Sequence, residues 1–332
     1  MELIGIPIIV IIGLIGNALS AVTFLNKKMR VMSCSLYLAA RAVTDSGFLI
    51  CLFVIWLQYV GVPIIHTHGV CQAEIFFSYL CGFLSVWFIV WVTVENYYRI
   101  CQPFKVSLFC TPKKALFRIL ITTVIGCMIY SVSTWINGIV SRGRKSVCFI
   151  KMEYKTISTV LIYGDCFITL ILPCAIILIV TSRIIFNILK TYRKRAPARH
   201  RGSFRLKATV SKMLLWVSLV FLILNLPSHS VRLRALFEMM TKQTTKPTPL
   251  LFVLQRVLQM IFYMSFSINF FIYVSLGPSF RRNFLRITGI SRSRNGNQPE
   301  INAYEDKLCN GNAPDLLLPD EKANIISKEQ TF

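Results

Sequence analysis

Seven blocks of apolar residues run through the chain, at roughly 3–25, 36–60, 73–100, 115–140, 157–189, 208–235 and 250–276. Each is about 20 residues or longer, enough for a helix to cross a hydrocarbon layer of about 30 Å. Backbone amides have no water to bond in lipid, so each block predicts a helix that satisfies its own N–H and C=O groups. Gly and Pro inside the blocks are compatible with this, because neighbouring helices re-satisfy the freed groups. The pattern predicts an all-α membrane protein, a seven-transmembrane helix bundle. No internal repeat and no matched pair of interrupted helices points to a transporter instead.

Composition sharpens this picture. The chain is 55% hydrophobic and only 15% charged, where a soluble domain is nearer a quarter charged. The formal charge of +23 does not imply nucleic acid, because no reading helix accompanies it. It sits in the loops instead. Around 26–35, 99–118 and 183–212 there are 3, 5 and 10 Lys or Arg, against 0, 5 and 4 around 59–71, 138–156 and 232–249. The richer set is expected on the cytoplasmic side, with the N-terminus outside and the C-terminus inside. Only Met1 and Glu2 precede the first block and no N-x-S/T sequon occurs, so the expectation is a start downstream of the true one. Residues 1–287 read as the membrane domain, and 288–332, rich in Asn, Asp, Glu, Ser and Pro, as a disordered cytoplasmic tail.

Polar residues deep in a membrane helix are costly and need a partner or a task. Asn17, Asp45, Ser85 and Asn269 fall at similar inferred depths. They would make one site of a carboxylate, two amides and a hydroxyl, suited to a hard monovalent cation or to a polar network without an ion. Arg41 lies four residues before Asp45. Three fates are open to it: an i, i+4 pair with Asp45, a cross-helix pair with Glu95, or snorkelling to the headgroups. No Cys/His cluster has metal spacing, and the four His lie in loops or singly; neither a structural zinc site nor an enzyme is expected.

The order of these residues resembles the rhodopsin-like (class A) G-protein-coupled receptors. Gly16-Asn17, Ala42-x-x-Asp45, Ser85 and Asn269-x-x-x-Tyr273 resemble that family's helix signatures over about residues 1–287. The resemblance implies a sodium ion at the Asn17, Asp45, Ser85 and Asn269 positions as an allosteric ligand, with no other metal or cofactor. It implies a disulfide between Cys71 and Cys148, both in segments assigned to the outside; free thiols are the alternative. Glu95-Asn96-Tyr97 resembles the D/E-R-Y box, but Asn96 stands at its arginine, and Arg99, a turn further on, is the nearest substitute. Phe221, Asn225, Pro227 and His229 follow the sixth-helix signature with Asn225 in place of its tryptophan, and Pro227 predicts a kink. The seventh-helix N-P-x-x-Y lacks its proline, which is Phe270. Residues 277–287 resemble the amphipathic eighth helix on the inner leaflet. Arg41 would then supply the cation that the third helix has lost.

These variant boxes resemble invertebrate neuropeptide receptors of the FMRFamide-receptor-like group. Ser78 and Tyr263 stand where monoamine receptors and opsins keep their ligand-anchoring residues. Gln58, Glu74, Ser78, Tyr79, Asp165, His229, Arg232, Arg256 and Gln259 predict a polar outer pocket for a peptide or another multiply hydrogen-bonding ligand. A basic outer rim (Arg142, Arg144, Lys145, Lys151 and Lys155 among others) instead attracts anions. The implied partners are a heterotrimeric G protein, an extracellular ligand and the plasma-membrane bilayer. A chemosensory receptor of the same build and a signalling-silent decoy are the competing functions.

Overall fold

The computed structural model describes residues 2–142, 145–193, 201–241 and 249–289. The helices are α1 (Glu2–Leu25), α2 (Ser33–Leu57), α3 (Val70–Cys101), α4 (Val106–Phe109), α5 (Pro112–Ile136), α6 (Lys155–Cys166), α7 (Leu172–Arg193), α8 (Arg201–Thr241), α9 (Pro249–Met264), α10 (Asn269–Leu276) and α11 (Pro278–Ile287). A π-helical turn, Phe167–Ile171, joins α6 to α7 into one span, just ahead of Pro173, whose ring nitrogen cannot donate to the ladder.

Six helical stretches among the described residues are long and apolar enough to cross a bilayer. α9 and α10, bent by 50° at the break between them, make a seventh as one span. The bundle expected from the hydrophobic blocks is therefore present. Its exterior is apolar, with Ile11, Phe117, Leu120, Val160 and Phe186 exposed, while Arg41, Asp45 and Glu95 are sealed inside. That inversion is the arrangement lipid favours.

Two local features depart from the pattern of blocks. The fourth block was expected to run to about 140, but α5 stops at Ile136. Asn137 ends it by donating its side-chain amide to the Ser133 carbonyl, 2.8 Å away. The chain then forms a hairpin, β1 (Asn137–Arg142) antiparallel to β2 (Lys145–Ile150), with Ile139 opposite Cys148. Cys148 is disulfide-bonded to Cys71 at the start of α3. The Cys148 amide also donates to His66 Nδ1 at 3.1 Å. The hairpin is thus tied to the bundle by a covalent and a polar link.

The second feature is the break before α10, which forms without a proline. Asn17 donates to the freed Phe266 carbonyl at 3.0 Å, and Asn269 donates to that of Ser265 at 3.0 Å. Side-chain insertion into the ladder is a recognised cause of a kink. α1 reaches this region because Gly16 has no side chain: a Cβ there would meet that of Phe270 at 3.0 Å.

The largest apolar cluster fills the half of the bundle towards α11, around Tyr37, Phe88, Tyr273 and Phe280. Phe24 packs edge-on to Tyr273 with centroids 5.1 Å apart. α11 lies across that end, turning Phe280 inward and Arg281 and Arg286 outward.

Candidate functional site

The polar cluster in the middle of the bundle gathers residues from α2, α3 and α10. Ser85 donates to one Asp45 oxygen at 2.5 Å, and Asn269 donates to the other at 2.9 Å. Arg41 Nε lies 3.6 Å from that second oxygen and 3.4 Å from the Ser85 hydroxyl. Both ion-pair partners are buried, at 3% and 1% side-chain exposure. Arg41 also reaches the Tyr273 hydroxyl. Asn17, on α1, spends its amide on the α9–α10 break instead.

Of the three fates open to Arg41, the structure shows the pair with Asp45. Arg41 makes no ion pair with Glu95 among the described residues, and at 3% exposure it does not snorkel out. Glu95 already has two other cations. Arg99 Nη2, one turn along α3, is 3.7 Å from it, and Arg118 Nη1, from α5, is 3.2 Å from it. Ser33 donates its hydroxyl to the same carboxylate and accepts from Arg99 at 2.9 Å. Arg118 also donates to the Tyr37 hydroxyl at 3.3 Å and the Phe109 carbonyl at 3.1 Å, and lies over the Trp91 ring. Asn96 is buried beside this hub, and the Tyr97 hydroxyl accepts from Gln102 at 3.4 Å. Cys110, in the loop before α5, approaches the Glu95 carbonyl, and burial pushes its thiol up to about 11.

Phe221 on α8 is buried against Val86, Ile89 and Ile177, where the third, fifth and sixth spans meet. One turn on, Asn225 turns its amide back onto the Phe221 carbonyl at 2.7 Å. It reinforces the ladder just before Pro227, which cannot donate to it. Nearer Glu95, the hydroxyls of Thr93 and Ser218 share a hydrogen bond of 2.9 Å between α3 and α8.

At the disulfide end, the nine residues expected to line a pocket take different tasks. Asp165 accepts from Tyr130 at 2.7 Å, and Tyr79 stacks on that tyrosine, so this pair ties α3, α5 and α6 together. Arg256 pairs with Glu2 at 2.9 Å and covers the Phe252 ring. Gln259 donates to Tyr263 at 2.8 Å, and His229 meets Phe262 edge-on. Gln58 and Ser78 are half-buried. Glu74 is buried, and its Oε1 has no hydrogen-bond partner among the described residues. The side chain of Arg232 lies outside the described residues, as do residues 143–144, 194–200, 242–248 and 290–332, which hold much of the basic loops and the tail.

Set beside known proteins, the chain matches the family described as 7 transmembrane receptor (rhodopsin family) over residues 16–273. It belongs to that family. The receptor is also similar to the FMRFamide peptide receptor frpr-18 of Caenorhabditis elegans, 28% identical over 130 residues, 36% of this chain. The matched segment spans 29% of that relative's length. The family is one of class A G-protein-coupled receptors and not of enzymes, and among the described residues no group of His, Cys, Asp and Glu is built to hold a metal.

Sodium does not fit the receptor's central cluster. Both Asp45 oxygens accept hydrogen bonds, and a guanidinium already balances the carboxylate. A second cation about 4 Å from that guanidinium would be repelled by about 4 kcal/mol at an effective dielectric of 20, before the cost of stripping its water. Sequence reading missed Ser33, Tyr37, Arg118, Tyr130, Thr93 and Ser218. Of these, Arg118 carried one readable signal: a cation at the edge of an apolar block needs a counter-charge if it turns inward.

Proposed function

We propose that the receptor binds an extracellular peptide at its disulfide end and passes that event to a heterotrimeric G protein on the other side of the plasma membrane. The observation that carries the reading is Glu74. A buried carboxylate with an unmet oxygen is expensive, and such a group is retained where a ligand supplies the donor. A peptide's basic side chain, backbone amide or terminal amide provides one. Half-buried Gln58, Ser78 and Gln259 add donors and acceptors, and the tethered β1–β2 hairpin borders the same end. The similarity to a receptor whose name specifies an FMRFamide peptide supports the same ligand class.

Signalling then follows from differential binding. A ligand that binds one arrangement of the bundle more tightly shifts the population towards it. Pro227, which cannot donate to the ladder of α8, and the 50° break between α9 and α10 supply the hinge elements such a shift needs. The test is to express the receptor at the cell surface and screen an amidated neuropeptide library, reading calcium and cAMP. A saturable response to one peptide class supports the reading; silence with surface expression verified overturns it.

A further inference from the structure

The residues that would surround an ion in the middle of this receptor already surround a side chain. Arg41 extends along α2 to its own Asp45, Nε 3.6 Å from the carboxylate and 3.4 Å from Ser85. Asn269 completes the carboxylate's shell at 2.9 Å. Two polar atoms at this depth remain unpartnered among the described residues, Arg41 Nη1 and Asn17 Oδ1. They leave a polar lining with one acceptor and one donor to spare.

We propose that Arg41 is a tethered cation which permanently occupies a latent sodium site, so that the resting receptor is held together without sodium and becomes sodium-responsive only when the guanidinium is removed. The charge count is the reason. Asp45 is the cluster's one carboxylate and Arg41 its one cation, so the site is neutral as it stands. Truncating Arg41 to an apolar side chain leaves a buried carboxylate uncompensated, with the Ser85 hydroxyl on one of its oxygens and the Asn269 side-chain amide on the other. A carboxylate and a hydroxyl are hard oxygen donors, and an amide that turns its carbonyl inward adds a third; such a set selects a hard cation. A diffusible ion leaves when the bundle rearranges, but a side chain cannot. The guanidinium must stay within reach of Asp45 in every state, with Tyr273 as its other contact. The inference rests on the geometry of this cluster and is independent of the peptide reading.

The test is thermal unfolding of the purified full-length receptor in NaCl and in choline chloride at equal ionic strength. For the unchanged protein the two curves are expected to coincide. For Arg41→Leu, Tm is expected to rise with NaCl and saturate, as ligand linkage requires, and Asp45→Asn in that background is expected to abolish the rise. A saturable, sodium-specific stabilisation of the unchanged receptor overturns the proposal, and that arm stands even if Arg41→Leu does not fold. A folded Arg41→Leu protein indifferent to sodium overturns it as well; Arg41→Gln provides a second, more conservative route to the same reading.

Discussion

Arg118 reaches from α5 to Glu95 on α3, Nη1 3.2 Å from the carboxylate, and holds it from the side opposite Arg99. The acidic residue of the third-helix box has thus kept its counter-charges although the adjacent position is Asn96. Removing one of them has a defined cost. In Arg118→Met, Glu95 keeps Arg99 at 3.7 Å and the hydroxyl of Ser33, and roughly 1.5–3 kcal/mol of charged hydrogen bonding is lost. Thermal unfolding of the solubilised receptor is expected to shift down by several degrees, with the Phe109 end of the loop loosened. An unchanged Tm contradicts the hub.

The Thr93–Ser218 hydrogen bond is a second link across the Glu95 half of the bundle, and it joins the third span to the helix that carries Pro227. Breaking it frees α8 to move without touching the disulfide end. Thr93→Val and Ser218→Ala are each expected to raise ligand-free signalling, and the double variant to raise it no further than the stronger single, because one bond is lost in either case. Additive effects in ligand-free second-messenger assays argue for two separate roles.

Glu74 makes a prediction at the opposite end. Glu74→Gln keeps the shape and removes the charge, so an agonist that donates a basic group to it is expected to lose about ten- to a hundredfold in potency, or about 1.4–2.8 kcal/mol. Cell-surface expression is expected to hold, since the amide keeps the carboxyl's shape at a site where one oxygen already lacks a partner among the described residues. Equal agonist potency in the two proteins removes Glu74 from the ligand site.

Cys110 offers a pH-dependent readout of the loop between α3 and α5. Burial, with the Glu95 charge adding to it, raises its thiol to about 11, against an ordinary value near 8.5. The protonated form is the unreactive one, so a raised value means slow alkylation below it. Site-resolved iodoacetamide labelling of the intact receptor is expected to keep accelerating above pH 9. A plateau near the ordinary thiol value contradicts the burial.

Much of this architecture can be read from the chain, and the reasons differ by residue. The spans are legible because lipid requires long unbroken apolar runs, and Asp45, Ser85 and Asn269 because a polar residue in such a run must find another. The rest depends on which way a side chain turns. Arg118 and Ser33 counted as loop residues until the helices brought them to Glu95. Arg41 had three options on paper, and only packing shows that its own helix provides the partner. The hairpin was hidden inside an apolar block because Gly138, Ile139 and Val140 continue the hydrophobic run while Asn137 stops the helix. The α9–α10 break was invisible for the opposite reason: its proline is absent, and asparagines on two helices do the same work.

The most direct test is the number of crossings, which turns on whether α9 and α10 form one bent span. Glycosylation-acceptor tags placed before α1 and after α11 report which side of the membrane each end occupies. An odd count, with the Lys- and Arg-rich loops on the cytoplasmic side, predicts a glycosylated N-terminal tag and an unmodified C-terminal one. Both tags modified, or neither with expression verified, would mean that the bent pair re-enters the membrane without crossing it.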